Sequence, residues 1–565
     1  MAETQSENHG HGPEAHEGGH APPRPFRRLR QLLLPERRDL ATVVVFAGAV
    51  ATLSLAAPIA VESLVNTVAF GVLIWPVAVI AGILFCCLGL AAAIRAMQVY
   101  SVECLQRRLF VRVVADYAGR LPRTRLDAFD KQYGPELANR FFDILTLQKS
   151  LAFLLLDGVA LVVTAVVGMV VLAFYHPFLL GFDILLVAAI AFILFVLGWG
   201  GVRTSLRESH AKYDVAAWLQ ELVRDPRTFK FAGGPQFALA KADRLAGEYI
   251  EARKSHFRVV LRQTVFSLGL QVVASTALLG LGGYLVIERQ LTLGQLVASE
   301  LIVALVVASV SKLGKYAEAY YDLLTASEKL GLVTDLPPER DGGESLADSG
   351  RGLAIRVHGV HSVSHRNLPT AADWHADPHE RIAFVGPSGS DLTTLFEMLC
   401  GLRAADAGSV EIDGVDLRAL AAHELRGQCA LVERADVFEG TVSENLQYGR
   451  EEVSPVVVRE ALRVVGLLGV VYALPLGIET KLIPGGGLLT PGQTLRLAIA
   501  RAIVGRPRLL ILDGVLDRLA PSDSPDLLPG LFDRTAPWTL LVASADPAIV
   551  GLCDRIVTLP RGETP

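Results

Sequence analysis

Six apolar stretches in the first 311 residues constrain the fold of this chain more than any other feature of its sequence. Each is about 20 residues long with few charges, which is the length an α-helix needs to cross the hydrocarbon core of a bilayer. The mean hydropathy of the chain is +0.40, which is high for a soluble protein. The six stretches lie at residues 40–60, 73–94, 151–175, 177–199, 265–287 and 293–311.

The charges between these stretches are unevenly distributed. The connections at 95–149 and 203–262 are long and rich in Arg and Lys, whereas those at 61–72, 288–292 and His176 are short with few charges. Because basic loops stay on the cytoplasmic side, both termini are predicted to be cytoplasmic. The long basic segments keep helical periodicity, so the membrane helices are expected to continue well into the cytosol.

Two further segments precede the first apolar stretch. Residues 1–25 are rich in His, Gly, Glu and Pro and cannot bury a core, so a disordered tail is expected. Its histidines could bind a metal, although a solvated tail is the simpler interpretation. In residues 26–39 arginines alternate with leucines at helical spacing, which predicts an amphipathic helix on the membrane surface.

Ionisable residues inside the apolar stretches are Asp157, Asp183 and Glu300, and Glu62 lies near an outer end. Such residues often line a polar pathway. For Asp157 and Glu62 a position at the membrane interface is favoured, because a charge costs little there. For Asp183 and Glu300 both interpretations stay open.

Composition excludes some classes of function. The net charge is −5, which gives no support for a nucleic-acid partner. The six cysteines show no C-x-x-C spacing, so a reduced setting without a disulfide framework is expected.

Residues 334–350 are rich in Pro, Gly and acidic side chains and form a predicted linker. The remaining residues, 351–565, alternate short β-like runs with amphipathic helices, as in an α/β domain.

A strand-turn-helix pattern near residue 386 resembles a phosphate-binding loop. The apolar strand 382–385 is followed by a glycine-rich turn, in which backbone N–H groups form an anion nest at a helix N-terminus. Asp391 and Leu392 replace the second glycine and the lysine of the G-x-x-x-x-G-K-[ST] motif. The candidate phosphate contacts are Gly386, Ser388, Gly389, Ser390, Thr393 and Thr394.

The order of features resembles an ATP-binding cassette (ABC) exporter half-transporter. Four segments carry the resemblance: LTLGQLVA at 291–298, FEGTVSENLQYG at 438–449, LTPGQTLRLAIARAIVGRPRLLILD at 489–513 and CDRIVTLPRG at 553–562. The resemblance implies a membrane all-α six-helix transmembrane domain followed by an α/β P-loop nucleotide-binding domain. It further implies ATP and Mg²⁺ as cofactors, a second ABC half-transporter as partner and an unidentified exported substrate.

Position by position, the resemblance shows that charged groups of the P-loop site are missing. Leu392 stands at the P-loop lysine, whereas Thr393 keeps the Mg²⁺-ligand hydroxyl and Asp513 the Walker B carboxylate. Thr393 and Asp513 are therefore the candidate metal ligands. Glu433 stands at the Q-loop glutamine, and Ser364 or His365 near the aromatic residue that stacks on adenine.

The remaining positions are also altered. Of the signature motif, Thr490, Gly492 and Gln493 are kept, while Pro491 removes a backbone donor. Gly514 stands at the catalytic glutamate and Ala545 at the switch histidine, so no catalytic residue is predicted. Asp391 adds repulsion, since unit charges about 4 Å apart interact by about 4 kcal/mol at an effective dielectric of about 20.

These losses favour two hypotheses from different classes. In the first, the chain is the catalytically degenerate half of a heterodimeric exporter and couples a partner's ATP hydrolysis to export. In the second, it forms a homodimeric membrane scaffold or regulator without ATP hydrolysis. Nucleotide binding at the P-loop is expected to be weak and non-hydrolytic, or replaced by a purely structural role. The expected location is a bacterial inner membrane, with the nucleotide-binding domain in the cytoplasm.

Overall fold

The computed structural model describes residues 25–70, 74–130, 137, 139–224, 226–310, 312–347, 349–361, 373–386, 389–450, 452–484, 487–519 and 525–558. The chain forms two compact units, one ending at Leu336 and one that begins at Pro337 and also includes residues 125–127. Of the tail expected over 1–25, residues 1–24 lie outside the described residues, as do Ser364 and His365, whereas Pro25 begins the first helix.

The described residues of the first unit are almost entirely helical. Its α-helices are α1 Pro25–Leu33, α2 Arg37–Ser54, α3 Ala56–Phe70, α4 Ile74–Arg120, α5 Asp127–Asp130 (at its boundary), α6 Asp143–Phe153, α7 Val159–Tyr175, α8 Pro177–Ala191, α9 Gly201–Arg224, α10 Gly234–Ile287, α11 Leu293–Val310 and α12 Leu313–Thr334.

The apolar stretches form helices of membrane length. Among the described residues, five helical segments are long and apolar enough to cross a bilayer: Pro25–Thr67, Trp75–Arg123, Arg140–Phe174, Pro177–Leu197 and Gly234–Ile287. The sixth apolar stretch forms α11, whose apolar part, Gly294–Val306, is shorter.

Two helices confirm that the membrane segments continue beyond the bilayer. Helix α4 contains 47 residues and α10 contains 54. At 1.5 Å per residue they are about 70 and 80 Å long, more than twice the roughly 30 Å of a hydrocarbon core.

Prolines divide two segments that the apolar pattern predicts to be continuous. The predicted span 40–60 is interrupted at Leu55, and α3 starts at Ala56. Pro58 has no N–H for the carbonyl of Ser54, and its ring disfavours an unbroken turn there. Pro35 lies in a 3-10 turn, Leu34–Glu36, so the helix expected over 26–39 ends at Leu33.

Helix α1 packs on protein as well as being amphipathic. Leu29, Leu32 and Leu33 lie against the same apolar cluster as the buried Leu330 of α12. The Arg28 guanidinium lies 2.8 Å from the Glu328 carboxylate and also binds Asp335. The apolar face of α1 therefore packs against other helices of this unit.

A second apolar cluster joins helices α7, α8, α10 and α11. Leu172, Leu179, Leu186 and Ile302 are all buried in it. A Cβ added to Gly168 of α7 would lie 3.0 Å from Ile302, so this glycine permits a close helix approach, as small residues do in membrane interfaces.

The second unit has two main sheets. The first is antiparallel, with strand order β2-β1-β4-β5, and the second is parallel, with order β11-β3-β10-β9-β6; β7 and β8 form a small ladder. The strands are β1 Ile355–His361, β2 Trp374–Ala376, β3 Arg381–Val385, β4 Ala407–Ile412, β5 Val415–Asp416, β6 Cys429–Val432, β7 Gly440–Thr441, β8 Lys481–Leu482, β9 Leu509–Asp513, β10 Thr539–Ala543 and β11 Arg555–Thr558.

Helices cover both faces of the parallel sheet. They are α13 Gly389–Leu399, α14 Ala422–Gln428, α15 Val442–Gln447, α16 Pro455–Val464, α17 Leu468–Ala473, α18 Pro491–Val504, α19 Leu527–Leu531 and α20 Pro547–Val550.

The parallel sheet positions the candidate site. Every residue of β9 and β10 is buried, as expected for continuous apolar strands covered on both faces. Because Ala543 pairs with both Phe384 and Asp513, the carboxyl ends of β3, β10 and β9 lie along one edge. Ligands of open parallel sheets bind at such an edge.

Candidate functional site

The glycine-rich turn connects β3 to α13. Gly386 follows β3 and is exposed, and the backbone of Gly389 and Ser390 forms the first turn of α13. Ser388 lies outside the described residues. The predicted strand-turn-helix order is therefore present, with an 11-residue helix beginning at the turn.

Leu392, at the lysine position, belongs to the apolar core. Its side chain is 5% exposed and packs in the cluster that contains Phe384 and Phe396. Thr394 is also buried at 5%. The residue predicted to stand at the lysine position of the motif therefore contributes apolar packing.

The two predicted metal ligands meet. The Thr393 hydroxyl in α13 donates a hydrogen bond to the carboxylate of Asp513 at the end of β9. Burial raises the pKa of Asp513, while the Thr393 hydrogen bond and Arg518 act in the opposite direction. A hydroxyl and a carboxylate are oxygen donors of the kind that Mg²⁺ takes, so this pair fits the ion.

Glu433 lies close enough to this pair to interact electrostatically. It follows β6, and its pKa is raised mainly by burial and also by Glu397, Asp513 and Asp436. Arg434 opposes this, with the guanidinium 3.7 Å from the Glu433 carboxylate. The site therefore contains several carboxylates, whose negative charge disfavours the binding of a further anion such as phosphate.

The residues predicted to stand at the catalytic glutamate and switch histidine positions, Gly514 and Ala545, have defined backbone contacts. Gly514 has a φ of +61°, in the left-handed region, and donates its N–H to the Ala543 carbonyl at 3.1 Å. The Asp517 carboxylate accepts the Ser544 hydroxyl and the Ala545 N–H, the latter at 3.0 Å. Nothing in sequence spacing indicates this role of Asp517, because it lies 27 residues from its partner.

The signature residues begin helix α18. Thr490 and Gln493 form a capping box: the Gln493 N–H donates to the Thr490 hydroxyl at 3.3 Å, and the Thr490 N–H to Gln493 Oε1 at 2.9 Å. The T-x-x-Q spacing is a readable capping signal. Thr490 is exposed and Gly492 half-buried. Thr393, Asp513 and Glu433 thus form one group, and the signature residues another.

A set of membrane-length helices followed by a P-loop-type α/β domain defines a membrane-spanning protein with a nucleotide-binding domain. Residues 40–310 match the ABC transporter transmembrane region, and residues 370–516 match the ABC transporter family, together about three-quarters of the chain. The chain therefore belongs to the ABC transporter family and has the domain order of a half-transporter, with the transmembrane domain fused to the ABC domain. An ABC domain is an ATP-binding domain, with Mg²⁺ as the usual ion.

Curated relatives include two proteins named ATP-dependent lipid A-core flippase. The one from Chromobacterium violaceum is 29% identical over 349 residues, which is 61% of this chain and 59% of the relative. The one from Thiobacillus denitrificans is 31% identical over 358 residues, covering 62% and 61%. The matches thus span about three-fifths of each relative's length.

A solved structure shares the fold. It is described as a bacterial Atm1-family ABC exporter with ATP bound, and matches with a TM-score of 0.82. The match covers 93% of this chain and 94% of that one at 19% identity, so it supports the fold alone.

Proposed function

We propose that this chain is the catalytically silent half of a heterodimeric ABC exporter. Its own P-loop holds nucleotide weakly and without hydrolysis, and a partner half-transporter with an intact P-loop supplies the energy. The signature residues of this chain, Thr490, Gly492 and Gln493, complete the partner's ATP site. The nucleotide-binding domain lies in the cytoplasm, at a bacterial inner membrane.

One observation carries the proposal: the metal-ligand pair survives while the cation is replaced by core packing. Thr393 and Asp513 are hydrogen-bonded, whereas Leu392 is buried among apolar side chains. Phosphoryl transfer depends on positioning and on stabilising the charge of the phosphate oxygens. Gly514 cannot polarise a water and Ala545 cannot bind a γ-phosphate. The chain's own nucleotide site thus lacks the lysine, the glutamate and the histidine, each of which has a separate charge function.

The residues present can still hold a nucleotide in part. The first backbone N–H groups of α13 are donors for phosphate oxygens. Thr393 and Asp513 would hold Mg²⁺, which when bound neutralises phosphate charge. Glu433 and Asp513 are carboxylates of this site, so binding without the ion is disfavoured.

Among the described residues, the signature side chains keep hydrogen-bond donors that the capping box does not use. The Thr490 hydroxyl accepts a hydrogen bond from Gln493 N–H, which leaves its own proton available to donate to a phosphate oxygen. Gln493 uses its Oε1 atom in the cap and retains its amide NH₂ donors. The exposed start of α18 can therefore both cap the helix and bind a γ-phosphate from another chain.

An amphiphilic membrane lipid, or a molecule like one, is the proposed class of cargo. The support is the name of the curated relatives, which are lipid A-core flippases. Many apolar side chains of the membrane helices are exposed, among them Phe174, Phe195 and Val272. A surface of this kind suits a molecule that reaches the protein from the bilayer.

The test is ATP hydrolysis by the co-purified complex with one chain altered at a time. Blocking the partner's P-loop lysine should abolish hydrolysis. In this chain Thr490→Ala should lower it at least tenfold, whereas Thr393→Ala should leave it within about twofold. Thr490→Ser should restore activity. Thr490→Asp retains a cap acceptor but lacks the O–H donor, and should remain inactive. Activity that survives the blocked partner would contradict the proposal.

A second candidate is the homodimeric membrane scaffold or regulator. Leu392 favours it, because a buried leucine suits a P-loop that now serves only packing. In that case the purified protein binds no nucleotide with or without Mg²⁺, and no second ABC chain co-purifies.

A further inference from the structure

Asp183 is an acidic side chain inside a membrane helix, and within the described part of the chain its buried carboxyl group has no hydrogen-bond partner. It lies on α8 and is 5% exposed. Among the described residues, neither carboxylate oxygen has a hydrogen-bond partner. Leu179 and Leu186, one turn away on either side, are buried in the apolar cluster. An unpaired carboxylate in such surroundings is costly, so it requires a proton or a cation.

The other intramembrane acids differ from Asp183. The Asp157 carboxylate forms an ion pair with Arg95 at 2.6 Å and is half-exposed. Glu300 has one buried oxygen without a partner within the described part of the chain, compared with two for Asp183. Asp183 is therefore the acid with the strongest need for a ligand.

A groove of about 330 Å³ includes Asp183 in its lining and is otherwise apolar. It lies between α7 and α8, and its volume is within the range of small-molecule sites. Ile184 and Leu180 on α8 and Val166 and Val170 on α7 are about half-exposed or more. The groove therefore offers a surface for a hydrocarbon chain beside one buried carboxylate.

We propose that this groove binds an amphiphilic amine, with the ammonium group on Asp183 and the hydrocarbon chain along the apolar walls. An ammonium group has three donors, so it can satisfy both carboxylate oxygens. The exposed Leu180 and Ile184 side chains can change rotamer to admit it, as exposed side chains do within nanoseconds. This inference rests on the proposed function only in that the amine would be a cargo; binding itself requires neither nucleotide nor partner.

The test is saturable binding of radiolabelled dodecylamine to the full-length protein in phosphatidylcholine nanodiscs. Dodecanol and dodecyl phosphate have the same chain without the positive charge and serve as competitors. Dodecylamine binding should weaken at least tenfold in Asp183→Asn, which keeps the shape, and should be largely retained in Asp183→Glu. Asp157→Asn is the matched control, because its carboxylate is already paired, and should not change affinity.

Three results would overturn the proposal. Equal dodecylamine affinity in wild type and Asp183→Asn would show that the carboxylate is neutral or unused. Equal competition by dodecanol or dodecyl phosphate would show that the groove does not select a cation. A change of oligomeric state in Asp183→Asn would assign the carboxylate to a second copy of the chain. None of these results bears on ATP hydrolysis by a heterodimer, so the two proposals fail separately.

Discussion

The Thr393 hydroxyl and the Asp513 carboxylate are hydrogen-bonded, and they bring the start of α13 to the end of β9. In the proposed function, this pair is the part of a magnesium-nucleotide site that the chain retains. Asp513→Asn should remove the Mg²⁺-dependent part of ATP binding and leave Mg²⁺-free binding equal or stronger, because a negative charge is lost. Titration of ATP with and without Mg²⁺ checks this. Asp416→Asn, at a surface pair with Arg418, is the control.

Replacing Leu392 by lysine tests the missing cation. One charged hydrogen bond to phosphate contributes about 1.5–3 kcal/mol, so ATP affinity should rise about ten- to a hundredfold. Hydrolysis should not appear, since Gly514 and Ala545 are unchanged. Leu392→Met is the control for packing, because its volume is similar. Unchanged affinity in Leu392→Lys would show that the buried position does not reach phosphate.

The backbone conformation of Gly514 disfavours a glutamate at this position. No atom lies within 4 Å of a Cβ added there, but its φ of +61° disfavours any L side chain. Gly514→Ala and Gly514→Glu should therefore both destabilise the protein by about 1–2 kcal/mol. Thermal unfolding of the full chain in detergent measures this. A destabilised glutamate variant beside an unaffected alanine variant would point to charge repulsion rather than backbone strain.

Arg508 should be important for stability. It is 4% exposed and pairs with Asp413 at 2.6 Å, with further hydrogen bonds to Gln428 and Ser349 at 2.7 Å. Arg508→Ala leaves Asp413 without its partner and should cost about 3–5 kcal/mol. Arg418→Ala removes an exposed pair and should leave the unfolding midpoint nearly unchanged. Similar unfolding midpoints for the two variants would contradict this assignment.

Stability should also depend on pH through Asp322 of α12. Burial raises the pKa of Asp322 from 3.8 to about 6, helped by Glu318 and Glu208 and opposed by Lys212 and Arg253. Because the folded-state pKa is the higher one, stability present at low pH is lost as pH rises through about 6. Asp322→Asn should therefore be stabilising at pH 7.5, and its advantage should shrink by about 1 kcal/mol at pH 5.

Unfolding midpoints of wild type and Asp322→Asn at the two pH values measure this difference. Asp341→Asn, at an exposed carboxylate, is the control. A pH-independent difference between wild type and Asp322→Asn would show that Asp322 does not titrate in this range.

Apolar periodicity was enough to predict the two-domain fold. The apolar strand predicted at 382–385 is β3, and the strands Leu509–Asp513 and Thr539–Ala543 are equally apolar in sequence, because fully buried parallel strands consist of continuous apolar residues. Helix breaks were harder to predict. Pro35 and Pro58 lie inside stretches whose composition alone predicts one continuous helix. Each proline lacks the N–H that would bond the carbonyl one turn earlier, and only this missing hydrogen bond indicates the break.

The sequence predicts those residues of the candidate site that belong to motifs with fixed spacing. It does not predict contacts that arise only from the arrangement of strands and helices. The motifs predict Thr393 and Asp513 as metal ligands, and the two side chains meet because α13 follows β3 and both β3 and β9 pair with β10. Asp517 holds the turn at Ser544, a contact that depends on strand order rather than on local sequence. The unpaired state of Asp183 likewise depends on which helices surround it.

The central claim is that this nucleotide site cannot hydrolyse ATP by itself. Its most direct test is Mg-ATP hydrolysis by the purified chain, shown by mass spectrometry to be free of any second ABC protein. We predict no phosphate release above that of a Thr393→Ala/Asp513→Asn double variant. Robust hydrolysis by the wild-type chain that the double variant abolishes would contradict the account.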